Sequence, residues 1–148
     1  MLADYSVRPA RMLEPSAGVG VFVDSVLRHS PGADVMAFEK DLLTGTILRH
    51  LYPDKKTRTC GFEKIEKPFN NYFDLAVSNI PFGDIAVFDA EFQRSDSFGR
   101  RSAQKAIHNY FFLKGRIVYN SPLGTEHRLP MGGDFFLHIG YALSARKF

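Results

Sequence analysis

Residues 12–20 read MLEPSAGVG, and this stretch decides the fold class because a strand, a tight turn and a helix meet in it. Met12 and Leu13 predict a short buried strand. Beyond the turn, Val23 and Val26 fall on one face of a helix. Gly18 allows the backbone to turn sharply between the two elements. A strand that leads through such a turn into a helix is typical of a parallel α/β sheet.

The same alternation continues along the chain. The pattern predicts strands at residues 35–38, 57–60 and 73–78 and a helix at residues 41–51. In that helix Leu43, Ile47 and Leu51 recur at a spacing of four and therefore share one face. The second strand ends at Glu39, and the fourth, most apolar strand ends at Asn79.

The pattern beyond the fourth strand is weaker. Residues 84–102 are polar and predict a long loop, residues 103–114 predict a helix, and residues 116–119 and 135–139 are each compatible with a strand. We therefore predict one α/β core over residues 1–115. Residues 116–148 form a divergent segment that packs on the same domain or extends it.

Composition narrows the class of protein. The 148 residues carry a net charge of +3 and one cysteine, Cys60, and no apolar run is long enough to span a bilayer. A single cysteine excludes an intrachain disulfide and a multi-cysteine metal site, so no metal and a cytoplasmic location are expected. The mild positive charge is compatible with DNA as a partner, although ordinary surface lysines and arginines explain it equally well.

Two acids flank the glycine turn in the predicted sheet. Glu14 precedes the turn and can accept hydrogen bonds from an ammonium group. Glu39 ends the next strand, where a carboxylate can accept both hydroxyls of a ribose. A dinucleotide motif would require a third glycine where Val23 stands. An ammonium group and a ribose together describe S-adenosylmethionine, although Glu39 is equally compatible with a simple helix N-terminal charge.

The second group of candidate residues is Asn79, Ile80, Pro81 and Phe82. Pro81 stiffens the turn and holds the Asn79 side chain and the Ile80 carbonyl in set directions. Two converging acceptors suit an amino group, which has two hydrogens to donate, and the Phe82 ring can stack on a flat base. Taken alone, the same tetrapeptide is compatible with a proline turn whose phenylalanine lies in the core.

These residues resemble the class I S-adenosylmethionine-dependent DNA adenine-N6 methyltransferases. The resemblance is strongest to the methylase domain of large helicase-and-methylase proteins of mobile elements. It covers about residues 12–115 and includes GFE at 61–63, NIPFGD at 79–84 and IHNYFF at 107–112. It implies a Rossmann-like methyltransferase sheet that lacks the family's last strands, S-adenosylmethionine as cofactor and the adenine amino group of DNA as target.

The resemblance also implies roles for individual residues. Glu14 and Gly18 would hold the methionine part of the cofactor, Glu39 its ribose, and Glu63 would lie near its adenine. The target base would be held by Asn79, the Ile80 carbonyl and Phe82. The remaining residues expected beside the cofactor are Pro15, Ala17, Gly20 and again Asn79.

Two alternatives stay open from the sequence. The Asn79 geometry serves the amide nitrogen of a protein glutamine as well as the amino group of adenine. The chain shows neither the family's preceding helix nor a target-recognition domain. It is therefore also compatible with an inactive, truncated or frame-shifted fragment that only binds DNA or a partner, such as a larger helicase/methylase polypeptide. Arg94, Arg100, Arg101 and Lys105 are candidates for phosphate contacts or for an ordinary solvated face.

Overall fold

A sheet of four parallel strands forms the centre of the computed structural model, which describes residues 8–81 and 83–119. The strands are β1 (Arg11–Glu14), β2 (Asp34–Phe38), β3 (Lys56–Arg58) and β4 (Leu75–Ala76). Their order is β3-β2-β1-β4, with Met12 opposite Leu75 and Glu14 opposite Ala37. The predicted α/β class is confirmed, while β3 and β4 are shorter than the sequence pattern predicts.

Helices cover both faces of this sheet. They are α1 (Val21–His29), α2 (Leu42–Leu51), α3 (Ala90–Gln93), α4 (Phe98–Ala103) and α5 (Ile107–Val118), with short 3₁₀ turns at Phe62–Lys64 and Lys67–Phe69. Successive strand residues point to opposite faces, so Met12 packs with residues of α1 and α2. Its neighbour Leu13 packs on the other face with residues of α3 and α5.

The apolar stripe predicted on α2 does not face the sheet. Leu43, Ile47 and Leu51 are all exposed, whereas Gly45 and Leu48 are buried. Gly45 lies so close to Thr59 that an added Cβ would collide with its side chain. The three predicted residues do share one face of α2, but this face points to solvent. Because Gly45 packs closely on Thr59, the adjacent face of the helix, which carries Gly45 and Leu48, is the buried one.

The predicted loop at residues 84–102 contains α3 and α4. Both helices are too short to show the helical spacing of apolar residues in the sequence, but each begins after a residue that caps its N-terminus. The Asp89 carboxylate accepts from the backbone N–H groups of Glu91 and Phe92, and Ser97 caps α4. These two caps were the available sequence signal for the helices.

The last described helix lies four residues later than predicted: it begins at Ile107 instead of residue 103 and ends at Val118 instead of residue 114. Residues 116–118, compatible with a strand by sequence, belong to α5, where the fully buried Val118 packs into the core. Burial of this apolar face outweighs the strand propensity of a β-branched residue. Residue 115, after which the sequence predicts a divergent segment, lies inside α5. The strand predicted at residues 135–139 lies outside the described residues.

The end of α5 lies at the amino end of β4, as the pairing of Tyr119 with Phe73 shows. The two residues form a parallel bridge, and the Phe73 N–H donates to the Val118 carbonyl over 3.1 Å. The next N–H, that of Asp74, donates to Arg11 in β1. Because consecutive backbone groups of a strand point to opposite sides, Tyr119 lies on the side of β4 away from β1.

No helix in the described part of the chain combines the length and the apolar character that crossing a bilayer requires.

A buried charged cluster attaches α3 to α5. Asp89 accepts from the Tyr110 hydroxyl over 2.6 Å and pairs with the Lys114 ammonium group at 3.1 Å. Burial raises the pKa of Asp89, but the hydrogen bonds from Tyr110 and Lys114 outweigh it, so the pKa lies below its ordinary value. Lys114 also lies 3.3 Å from Glu91. The ionised form of Asp89 therefore stabilises the fold.

We expect Asp89→Asn to lower the free energy of unfolding at neutral pH by about 1–3 kcal/mol, because it removes a charged, buried hydrogen-bond acceptor. A lowered pKa gives stability that is present above the ordinary value of 3.8 and lost as pH falls through the folded-state pKa. The difference between the two proteins in urea unfolding should therefore shrink in acid. Asp24→Asn, at an exposed pair with Arg28, is the control and should change little. A difference independent of pH would contradict this account.

Candidate functional site

The strand order brings the two predicted groups of residues to the same crevice. The chain runs from β1 outward through β2 to β3, then returns to β4 on the other side of β1. In open parallel sheets, ligands bind at the carboxyl ends of the strands where the order reverses. Here that point lies between Glu14, which ends β1, and the residues that follow Ala76 in β4. The Val77 N–H donates to Leu13 over 3.0 Å, so the two exits stay adjacent.

Glu14 is a fully buried carboxyl group at this crevice. Neither of its oxygens has a hydrogen-bond partner among the described residues, and the neighbouring hydroxyl of buried Ser78 is also unpartnered. Burial raises the pKa of Glu14 well above its ordinary value; the Ser78 hydroxyl and the Ser16 amide lie near enough to lower it, without forming a hydrogen bond of good geometry, and the charge of Glu39 raises it further. Buried polar groups are nearly always satisfied, so these orphaned atoms indicate a missing partner.

The turn that follows Glu14 contains two glycines, Gly18 and Gly20, whose surroundings differ. Gly18 has φ of +56°, and an added Cβ would meet nothing within 4 Å, so its surface is open to a ligand. Gly20 has φ of +92°, and an added Cβ would lie 2.5 Å from Tyr52 and 2.9 Å from Leu48. Gly18 is thus available for ligand approach, whereas Gly20 is required by packing against α2.

Pro15 and Ala17 lie within the turn as buried residues. The Ala17 N–H donates to the Phe38 carbonyl at the end of β2 over 2.8 Å, which ties the turn across two strand ends. Pro15 and Ala17 therefore shape the turn.

We expect Gly20→Ala to lower the free energy of unfolding by about 1–3 kcal/mol, because the left-handed backbone and the contact with Tyr52 both oppose a Cβ. Tyr52 also donates from its hydroxyl to the Gly20 carbonyl over 3.1 Å, so the side chain has little freedom to move aside. Gly32→Ala, with open space around the glycine, is the matched control. Equal melting temperatures for the two variants would contradict the assignment.

Glu39 connects the turn to α2 through backbone hydrogen bonds. Its two carboxylate oxygens accept from the Gly18 N–H over 2.8 Å and from the Asp41 N–H over 2.7 Å. Each oxygen retains a second lone pair that can accept from a ligand hydroxyl. The structure places Glu39 beside Gly18, and it shows a role in orienting the turn that the sequence did not reveal.

The Asn79 turn combines an exposed side chain with a buried anchor. Asn79 is exposed and makes no hydrogen bond with a described residue, while Ile80 is 2% exposed and packs in the core with Leu13. Pro81 is half-buried. Because the Ile80 side chain is buried in the core, the residue anchors the turn. Phe82 lies outside the described residues, and its base-stacking role stays a prediction.

Glu63 lies in the 3₁₀ turn Phe62–Lys64, which packs against the sheet through Phe62. Its neighbour Phe62 is buried against Phe38 and Tyr110, with ring centroids 5.7 and 6.5 Å apart. The Glu63 carboxylate folds over Gly61, where an added Cβ would collide with it. The structure thus brings Glu14, Gly18, Glu39 and Asn79 to one edge of the sheet. It does not link Glu63 to them by a direct contact.

Ser78 is the site residue that sequence reasoning missed. It ends an apolar strand immediately before Asn79, and this position of a hydroxyl was the available signal. Only the tertiary structure shows that its hydroxyl lies near the Glu14 carboxyl group.

Within residues 8–81 and 83–119, no group of three or more histidine, cysteine, aspartate or glutamate side chains is placed to hold a metal ion.

The chain matches no protein-family profile. Over 81 residues it is 35% identical to the Defense against restriction protein B of Escherichia phage P1. The similar region is 53% of this chain but only 3% of the length of the phage protein. The chain is therefore similar to a small part of that relative.

Proposed function

We propose that the protein is an S-adenosylmethionine-dependent methyltransferase of the Rossmann-like class I type that acts on the N6 amino group of adenine in DNA. The observation that carries the proposal is the orphaned, fully buried carboxyl group of Glu14 beside the open backbone of Gly18. A cationic ligand group placed there would favour the ionised form of a carboxyl group whose charge is otherwise opposed by burial.

The residues present fit this cofactor. Glu14 and the Ser78 hydroxyl offer three unpartnered oxygens, which suit an ammonium group with three donors. Gly18 leaves room for a ligand backbone, and the free lone pairs of Glu39 suit the two hydroxyls of a ribose. When bound, S-adenosylmethionine supplies a methyl group on a positively charged sulfur.

The chain's contribution to methyl transfer is positioning of the target amine. The nitrogen of adenine N6 is a weak nucleophile because its lone pair is delocalised into the ring. Acceptors at the Asn79 side chain and the Ile80 carbonyl hold its two hydrogens, favour a tetrahedral nitrogen and free the lone pair. Burial of the Ile80 side chain anchors this turn in the core.

The phage relative supports DNA as the substrate. Its name refers to defence against restriction. Modification of DNA bases is chemistry that would serve such a defence. A helicase or other domain in the same polypeptide is a further expectation from the resemblance to helicase-and-methylase proteins.

Methyl transfer from radiolabelled cofactor tests the proposal directly. The purified chain is incubated with single-stranded DNA, in which adenine need not be flipped from a duplex, and with a glutamine-containing peptide. Label in N6-methyladenine supports the proposal, and label in the peptide alone would assign the glutamine alternative. Absence of both transfer and cofactor binding in calorimetry would favour the non-catalytic fragment.

A further inference from the structure

Residues 88–103 contain the short helices α3 and α4, and we term this segment the docking lobe. Its base is closed by two hydrogen bonds of 2.8 Å, from the Val87 N–H to the Gln104 carbonyl and from the Asp89 N–H to the Gln104 side chain. Phe92 is fully buried against Tyr110 of α5. The base of the lobe is therefore fixed to α5.

The position of α5 sets the position of the lobe. The helix ends at the amino end of β4, where Tyr119 bridges Phe73. Its twelve residues span about 18 Å, so Ile107 lies toward the carboxyl end of the sheet. The lobe immediately precedes this end of α5 and begins nine residues after Asn79. It packs through Phe92 on Tyr110, in the first turn of α5, which is the half of the helix nearer the carboxyl ends of the strands.

The surface of the lobe is aromatic and positively charged. Phe88 and Phe98 are 70% and 76% exposed, an unusual state for phenylalanine. Arg94 and Arg101 are exposed, and Arg100 lies over the Phe92 ring at 5.9 Å.

The lobe has three acids for its three arginines, but two of the acids are directed toward α5. Asp89 and Glu91 both face Lys114, which leaves Asp96 as the exposed acid of the lobe. Exposed rings interleaved with arginines match the bases and phosphates of an unpaired nucleic-acid strand. A paired duplex hides the faces on which such rings stack.

We propose that the docking lobe binds an unpaired DNA strand, with Phe98 stacking on a base and Arg94 and Arg101 contacting phosphates. The inference rests on the proposed function for the choice of DNA, and it adds that the substrate is held in single-stranded form beside the Asn79 turn.

Fluorescence anisotropy with a labelled DNA strand of about 20 nucleotides, without cofactor, tests the inference. Phe98→Ala should weaken binding about 5- to 30-fold, because it removes the ring that stacks on one base, and Phe98→Trp should retain the affinity. Arg94→Gln with Arg101→Gln should lower the salt dependence by about 0.7 for each phosphate that the variant no longer neutralises. The same strand annealed to its complement should bind more weakly.

Matched controls lie on exposed positions outside the lobe. Leu42→Ala removes an equally exposed apolar side chain on α2, and Arg49→Gln with Lys67→Gln removes two exposed charges. Both controls should bind the strand as the wild type does. Thermal melting establishes that each variant is folded.

Three outcomes overturn the inference: no binding of the strand at low salt, equal affinity for strand and duplex, or unchanged binding by folded Phe98→Ala. Binding to vesicles of phosphatidylcholine and phosphatidylserine but not to DNA would assign the lobe to a membrane surface and also overturn it. Because the assay contains no cofactor, failure here leaves methyl transfer untouched. Failure of methyl transfer with intact strand binding would contradict the proposed function alone.

Discussion

Asn79→Ala should lower the rate of methyl transfer to DNA by about 100- to 1000-fold, the usual consequence of removing one positioned group that acts in the transition state. Asn79 is exposed and makes no hydrogen bond with a described residue, so the fold does not depend on its side chain. The melting temperature should therefore stay within about 1 °C of the wild-type value. Cofactor affinity should change less than about five-fold, since the amide acts mainly on the target amine.

Single-turnover transfer from labelled cofactor to an adenine-containing strand measures this effect. Asn109→Ala is the matched control, because Asn109 is also an exposed asparagine but lies on α5. Asn79→Asp retains an acceptor oxygen at the same place and should restore part of the rate. Unchanged transfer by folded Asn79→Ala would falsify the assignment of the amine-binding role.

Glu14→Gln should weaken binding of S-adenosylmethionine by about 10- to 100-fold, because an ionised acceptor of a cationic group is replaced by a neutral one. Glu66→Gln, at an exposed acid paired with Arg58, is the control and should bind the cofactor normally. Isothermal titration calorimetry measures both affinities. Equal affinities for Glu14→Gln and the wild type would remove the central support of the proposed function.

The same substitution should stabilise the free protein. Burial raises the pKa of Glu14, so the folded protein holds its proton more tightly than the unfolded chain does. As pH rises from the ordinary value of 4.5 toward the raised folded-state pKa, the unfolded chain loses its proton first and stability falls. Glutamine does not ionise, so at neutral pH the variant should be more stable by about 1–3 kcal/mol.

The pH dependence separates a functional from a structural carboxyl group. In urea unfolding, the stability gain of Glu14→Gln should vanish near pH 4, because the glutamate of the wild type is then protonated and, like the glutamine of the variant, carries no charge. Wild-type cofactor affinity should rise with pH through the raised pKa of Glu14, as binding requires the ionised form. A variant that loses both stability and binding at neutral pH would instead mark Glu14 as a structural residue.

Local patterns in the sequence were sufficient for the elements that position the site. The apolar run of β1, the turn at Gly18, the acid at Glu39 and the polar exit after β4 are each encoded within a few residues. Strand periodicity and glycine conformation are local properties, so they can be predicted without tertiary contacts.

Packing decided what local patterns left open. The stripe of Leu43, Ile47 and Leu51 faces outward because Gly45 approaches Thr59 closely. Ile80 becomes an anchor because its side chain enters the core. Both outcomes depend on contacts with distant residues, which residue spacing along one helix or turn cannot specify.

The sequence by itself determined the parallel α/β class and the identity of the residues at the strand ends. Only the tertiary structure decided that the Glu14 carboxyl group is buried without a partner, that Ser78 faces it, and that Gly18 is open while Gly20 is packed. The physical reason is that burial and hydrogen-bond satisfaction belong to the whole fold. A carboxyl group becomes costly only when β4 and the glycine turn close around it and exclude water.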